Sequence, residues 1–209
     1  MYFIIRKTNG YICTKITMFT GIIETLGEVI KIEREAGNIH FTINSPITHE
    51  LKIDQSVAHN GCCLTVVSLD QQNYVVTAIE ETLQKTNLSS WEVGTEVNLE
   101  RCMLMNGRLD GHIVQGHVDT VGICVSIEET SGSWKFTFQY KSNDVTVEKG
   151  SITINGTSLT VVDSVDNGFS VCIIPYTYEN TNFKNLRVGS LVNLEFDIIG
   201  KYIQKMIKK

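Results

Sequence analysis

Residues 21–100 of this chain are written a second time at residues 116–195. Laid over each other with a constant step of 95 and no gap, the two stretches agree at 26 of 80 positions, far above what shared composition gives by chance. The phrase NGCCLTV at 60–66 returns as NGTSLTV at 155–161, and VGTEVNLE at 93–100 returns as VGSLVNLE at 188–195. The same step carries Gly21, Thr25 and Gly27 onto Gly116, Thr120 and Gly122, and Thr82, Thr86 and Asn87 onto Thr177, Thr181 and Asn182. This period is too long for a solenoid, whose units run roughly 20–50 residues. It is close to the common size of a self-contained domain, so each copy has to enclose its own core.

The local pattern within one copy is strand and turn. GEVIKIERE, NIHFTIN, CLTVVSL and NYVVTAI alternate apolar with polar residues or run β-branched, and GICVSIEE, WKFTFQY, SLTVVDSV and GFSVCII do the same in the second copy. ETLQKTNLSSW and TYENTNFKNL break the alternation and predict a short helix or turn each. The expected fold is all-β: two tandem six-stranded antiparallel barrels of Greek-key type, since closure removes exposed strand edges. The predicted division is an extension outside the fold (1–17), an N-terminal barrel (18–113), a C-terminal barrel (114–196) and a closing helix (197–209). In that helix Ile199, Tyr202 or Ile203, and Met206 make one apolar stripe. Packing on the parent barrels and coiling with other subunits both account for it.

A net charge of −5 without a Lys/Arg block argues against nucleic acid or an anionic membrane as partner. No segment is long and apolar enough to span a membrane, and the opening residues lack the marks of a signal peptide. Six cysteines without C-x-x-C or zinc-ligand spacing read as free thiols in a reducing cytoplasm. His112 and His117, five apart and without an accompanying Glu, do not form a metal motif.

The informative differences lie inside the matched phrases. Gly61 and Gly156 supply turn freedom after Asn60 and Asn155, which a plain β-turn before a strand would also want. Cys62-Cys63 in the first copy become Thr157-Ser158 in the second, and Gly21-Ile22 faces Gly116-His117. One copy therefore carries thiols where the other carries hydroxyls, and an imidazole stands where the first has an aliphatic side chain. A lone histidine is often structural, yet it is also the natural proton carrier near neutral pH. Two pockets of one ancestry and unlike chemistry suit a reaction between two similar molecules, one held in each.

MFTGIIE, SVAHNGCCLTV, EETLQKTNL, GHIVQGHVD, GSITINGTSLTV and the IP-x-T-x-x-x-T stretch, in that order from Met18 to about Lys209, resemble the α subunit of riboflavin synthase. The resemblance implies two β-barrels with a C-terminal helix, a homotrimer, and a site joining the N-barrel of one subunit to the C-barrel of its neighbour. It implies dismutation of two 6,7-dimethyl-8-ribityllumazine molecules to riboflavin and 5-amino-6-(D-ribitylamino)uracil, with no metal or organic cofactor and with lumazine synthase as a possible partner. The substrate contacts it implies in the N-barrel are Gly21, Ile22, Ile23, Cys62, Cys63, Leu64, Val76, Thr77, Ala78, Ile79, Glu80 and Glu81. Those in the C-barrel are Gln115, Gly116, His117, Lys149, Thr157, Ser158, Leu159, Cys172, Ile173, Ile174, Pro175, Tyr176 and Thr177. Phe19, Ser56, Cys63, His117 and Thr160 match residues tied to turnover. Tyr176 departs from the family, where His or Glu is usual. The alternative is a non-catalytic lumazine- or flavin-binding fluorescent (antenna) protein of the same fold, which is expected to lose the turnover residues.

Overall fold

The computed structural model describes residues 18–207; the expected 1–17 extension, with Cys13, lies outside the described residues. The first barrel is built from β1 (Thr25–Glu35), β2 (Asn38–Asn44), β3 (Ser56–His59), β4 (Cys62–Leu69), β5 (Asn73–Ala78) and β6 (Glu96–Arg101). It closes in the order β1-β2-β5-β4-β3-β6. The second uses β7 (Thr120–Thr130), β8 (Ser133–Tyr140), β9 (Ser151–Ile154), β10 (Thr157–Val165), β11 (Gly168–Ile173) and β12 (Leu191–Phe196). Its order, β7-β8-β11-β10-β9-β12, repeats the first.

The alternation read from the sequence is the wall of each barrel. In β2 every second residue is buried (Ile39, Phe41, Ile43), because successive side chains point to opposite faces. Bulges at Val29/Lys31 and Val66/Ser68, repeated at Cys124/Ser126 and Val161/Ser164, fall at matching places in the two copies. Such bulges bend and twist strands, which lets a small sheet close. Short α1 (Glu80–Lys85) and α2 (Pro175–Asn180) each lead into a 3₁₀ turn that drops one large side chain, Leu88 or Phe183, fully into the core.

Four short strands escape the periodicity argument: β3, β6, β9 and β12. In β6 the four central residues, Val97 to Glu100, are all buried, although two of them are Asn and Glu. One face of β6 packs on its own core and the other is covered by the opposite barrel. The carboxyl-terminal helix is α3 (Ile198–Ile207). Lys201 Nζ grips Asp119 Oδ2 at 2.9 Å and Gln204 Nε2 donates to the Asn143 carbonyl at 2.7 Å. The stripe of Ile199, Tyr202, Ile203 and Met206 is exposed rather than packed on the barrels.

Candidate functional site

The two barrels meet about a local two-fold axis made of asparagines and glycines. Asn98 Nδ2 donates to the Asn155 carbonyl at 2.9 Å, and Asn193 Nδ2 donates to the Asn60 carbonyl at 2.9 Å. The Asn182 N–H donates to Asn98 Oδ1 at 2.8 Å, and the Asn87 N–H to Asn193 Oδ1 at 2.7 Å. When i touches j, their partners 95 residues away touch in return, as in an isologous dimer. Gly61 and Gly156 stand face to face at the centre, with φ of +77° and +81°; a Cβ on Gly61 would lie 2.8 Å from the Gly156 nitrogen.

Beside this junction each copy sends the loop before its first strand across to the other barrel. The Ser158 N–H donates to the Gly21 carbonyl at 2.8 Å, and the Cys63 N–H to the Gly116 carbonyl at 2.9 Å. The divergent phrases are thereby cross-wired: Cys63 of the first barrel meets the loop carrying His117, and Ser158 of the second meets the loop carrying Ile22. A Cβ on Gly116 would lie 2.6 Å from Cys63 Cβ and 2.8 Å from Phe19 Cε2, so only glycine lets the loop approach this closely.

Register puts most of the expected contacts toward one end of each barrel, whereas Lys149, whose N–H donates to the Val161 carbonyl, lies toward the other. Cys62 lies opposite His59, His59 opposite Leu99, and Leu99 opposite Thr25; Thr157, Ile154, Leu194 and Thr120 form the matching row. Antiparallel pairing of β4 with β5 brings Ala78 to the same end, ahead of the first turn of α1. Not every expected contact offers a side chain there. Cys62, Leu64, Val76, Ala78 and Ile173 point into the cores, leaving only their main chain for a ligand. Ile22, Ile79, Ile174 and Tyr176 are apolar or aromatic and exposed, two on each barrel. Lys149 occupies an exposed left-handed turn position (φ +64°) ahead of β9.

Of the residues tied to turnover by resemblance, Ser56, Cys63 and Phe19 are brought together with Gly116. Ser56 hydrogen-bonds the Cys63 thiol, and Phe19, fully buried, packs with Ala58, Val114 and Cys63. Its ring shapes the loop and does not face solvent. Thr160 is elsewhere: it pairs with Ser151 on the second barrel, in the place that Thr65 and Ser56 hold on the first. His117 follows Gly116 directly but has Asp119 and Lys201 as charged neighbours.

Burial sets the protonation states. It pushes the Cys63 thiol up to about 11 against the opposing Ser56 hydrogen bond, so Cys63 is a neutral thiol at pH 7. His117 keeps an exposed face, but packing around the rest of the ring, and then the Lys201 ammonium, hold it below the ordinary imidazole value. At neutral pH it is an unprotonated base. Burial raises Glu100 and Glu195 to about 7, against the pull of the N–H groups they accept.

Sequence reasoning missed both glutamates, the asparagine junction and the use of His112. The ring of His112 is set between Ser158 Oγ (2.7 Å, on Nδ1) and Thr153 Oγ1 (3.2 Å, on Nε2). A signal existed for the asparagines and glutamates: all are unchanged between the copies, and Asn98, Glu100, Asn193 and Glu195 stand where a strand pattern called for something else. A cleft of about 600 Å³ is lined by the junction's Asn60, Asn87, Trp91, Asn155 and Asn182 among others. It contains none of the expected site residues.

The lumazine binding domain profile matches the chain twice, over residues 20–102 and 115–197. The riboflavin synthase of Actinobacillus pleuropneumoniae is 42% identical over 195 residues, covering 92% of this chain and 91% of that protein. The riboflavin synthase of Schizosaccharomyces pombe is 39% identical over 196 residues, with 91% and 94% covered. Among solved structures, LumP complexed with 6,7-dimethyl-8-(1'-D-ribityl) lumazine superposes with a TM-score of 0.79 at 26% identity, covering 86% of this chain and 99% of that one. LumP complexed with riboflavin gives 0.78 at the same identity, with 85% and 98% covered. With two domain matches and end-to-end similarity at this level, the chain belongs to the riboflavin synthase family of lumazine-binding proteins.

Proposed function

We propose that this chain is a transferase that dismutates two molecules of 6,7-dimethyl-8-ribityllumazine. One gives a four-carbon unit to the other, leaving riboflavin and 5-amino-6-(D-ribitylamino)uracil. The observation that carries this reading is the cross-wired junction: two crossings of one architecture, one bringing Ser56 and Cys63 to the loop that bears His117, the other bringing Ser158 to the loop that bears Ile22. A protein that only binds the lumazine has no need of that asymmetry.

The chemistry asks little of the side chains. The C7 methyl of the lumazine is acidic because its carbanion delocalises into the ring, so a base near neutrality suffices. His117, unprotonated at pH 7, takes that proton. Ser56, or a water held by Ser56 and the neutral Cys63 thiol, adds at C7 of the partner molecule and makes it electrophilic. Holding both rings in contact supplies much of the remainder, since orientation is worth up to about 7–11 kcal/mol.

The exposed Ile22, Ile79, Ile174 and Tyr176 and the exposed stripe on α3 support a homotrimer. In it, the N-barrel of one subunit faces the C-barrel of the next, and Ile22 and Ile79 close against Ile174 and Tyr176. The thiols and the charge balance fit a reducing cytoplasm. Incubation with the lumazine tests the reaction, the expected result being loss of lumazine fluorescence with stoichiometric appearance of riboflavin. Persistent fluorescence without product would assign the chain to the antenna proteins instead.

A further inference from the structure

The reaction as proposed leaves Glu195 unused, although it is 3% exposed and sits under the loop that bears His117. Its Oε1 accepts the Gln115 N–H at 2.7 Å and its Oε2 accepts the His117 N–H at 2.9 Å. The residue between them, Gly116, turns its carbonyl the other way, to the Cys63 N–H. Three consecutive residues are thus pinned from two sides, with the carboxylate holding the outer two.

The first copy solves the same problem differently. Glu100 Oε1 accepts the Thr20 N–H at 2.6 Å and the Thr20 hydroxyl at 2.8 Å, and Oε2 accepts the Gly21 N–H at 3.0 Å. The next N–H, that of Ile22, goes to Thr20 Oγ1 at 3.3 Å. In the second copy Gln115 replaces Thr20, the hydroxyl is gone, and the carboxylate itself takes the N–H of residue 117. The change of clamp accompanies the change from Ile to His at that residue.

We propose that Glu195 is a positioning residue for His117, fixing the main chain of the 115–117 loop so that the imidazole is presented to substrate in one direction. The inference rests on the role given to His117 above. A carboxyl group suits the task because it has an oxygen for each of the two N–H groups, whereas a glutamine would satisfy one and turn its own N–H₂ on the other. An aspartate is one methylene short.

The test uses the full chain. E195Q is expected to lower kcat for riboflavin formation by about 10–10²-fold, the effect of misplacing a catalytic group by an ångström or so, with KM changed much less. Because the loss acts through His117, E195Q combined with H117A is expected to be no slower than H117A alone. Q115T, which restores the first copy's hydroxyl, is expected to recover part of the activity of E195Q. In the unaltered chain the amides of Gln115 and His117 are expected to exchange as slowly as those of the barrel strands. A kcat for E195Q within twofold of the unaltered chain, losses that multiply with H117A, or fast exchange of either amide would overturn the proposal. Should E195Q not fold, amide exchange alone decides. Failure of the unaltered chain to make riboflavin would fall on the reaction; the exchange measurement would still decide the clamp.

Discussion

The two barrels share strand order, bulge positions and a common junction, yet they differ at the points where a reaction needs difference. Position 63 is a thiol in the first copy, and its equivalent, Ser158, is an alcohol. Position 22 is aliphatic, and its equivalent, His117, is an imidazole. A third difference lies deeper. The first barrel buries His59 against Tyr74, Nε2 to Oη at 2.8 Å, where the second has Ile154 and Phe169. Duplication supplied two scaffolds of one strand order, and the differences at these positions leave that order unaltered.

The junction offers the harshest way to break the comparison. G61A and G156A each force a side chain into the left-handed region and against the opposing main chain. With roughly 1–3 kcal/mol for strain and a similar cost for overpacking, each is expected to lose about 4 kcal/mol of unfolding free energy. Denaturant unfolding should give near-equal losses; one mild and one severe variant would mean the two-fold relation is not real.

The buried histidine makes the first barrel the acid-sensitive one. Burial holds His59 at about 4, below its unfolded value near 6.5. The folded state therefore binds fewer protons between those limits, so stability is fully present above pH 6.5 and is lost as pH falls through 4. The span is worth about 3 kcal/mol. The H59I/Y74F double variant, which copies the second barrel, should flatten that part of the stability curve. A slope equal to that of the unaltered chain would contradict the assignment.

Catalysis comes next in size. H117A is expected to lower kcat by about 10²-fold, the low end for a positioned base, while I22A at the matching place should act mainly on KM. The smallest effect expected is at the thiol. Because Cys63 is neutral at pH 7, C63S should cost kcat only about severalfold, a hydroxyl keeping the hydrogen bond. A loss of several decades in steady-state assays would mean that the sulfur acts as a nucleophile.

The repeat made the double barrel legible, because a strand with one face in a core and one in water alternates, as NIHFTIN does. It could not make β6 and β12 legible by the same means. VNLE is buried on both faces, and its Asn and Glu serve the other barrel and the loops. The polar choices at Asn98, Glu100, Asn193 and Glu195 look like surface residues until the second copy is placed on top of the first. The candidate site was legible where the copies disagree, at Cys63 and His117. It was not legible at Glu195, where they agree, since identity between copies points equally to packing and to clamping a loop. Likewise the stripe on α3 could be seen from its spacing, but whether it faced the barrels or outward depended on where Lys201 finds Asp119.

On the proposed reaction, one chain offers two lumazine-binding ends of like fold and unlike chemistry. Calorimetric titration of the full chain with a non-reacting lumazine analogue that keeps the ribityl group tests it most directly. Two sites per chain with unequal affinities are predicted, the weaker one altered by H117A and the other left unchanged. A single site per chain, or none, would contradict the account.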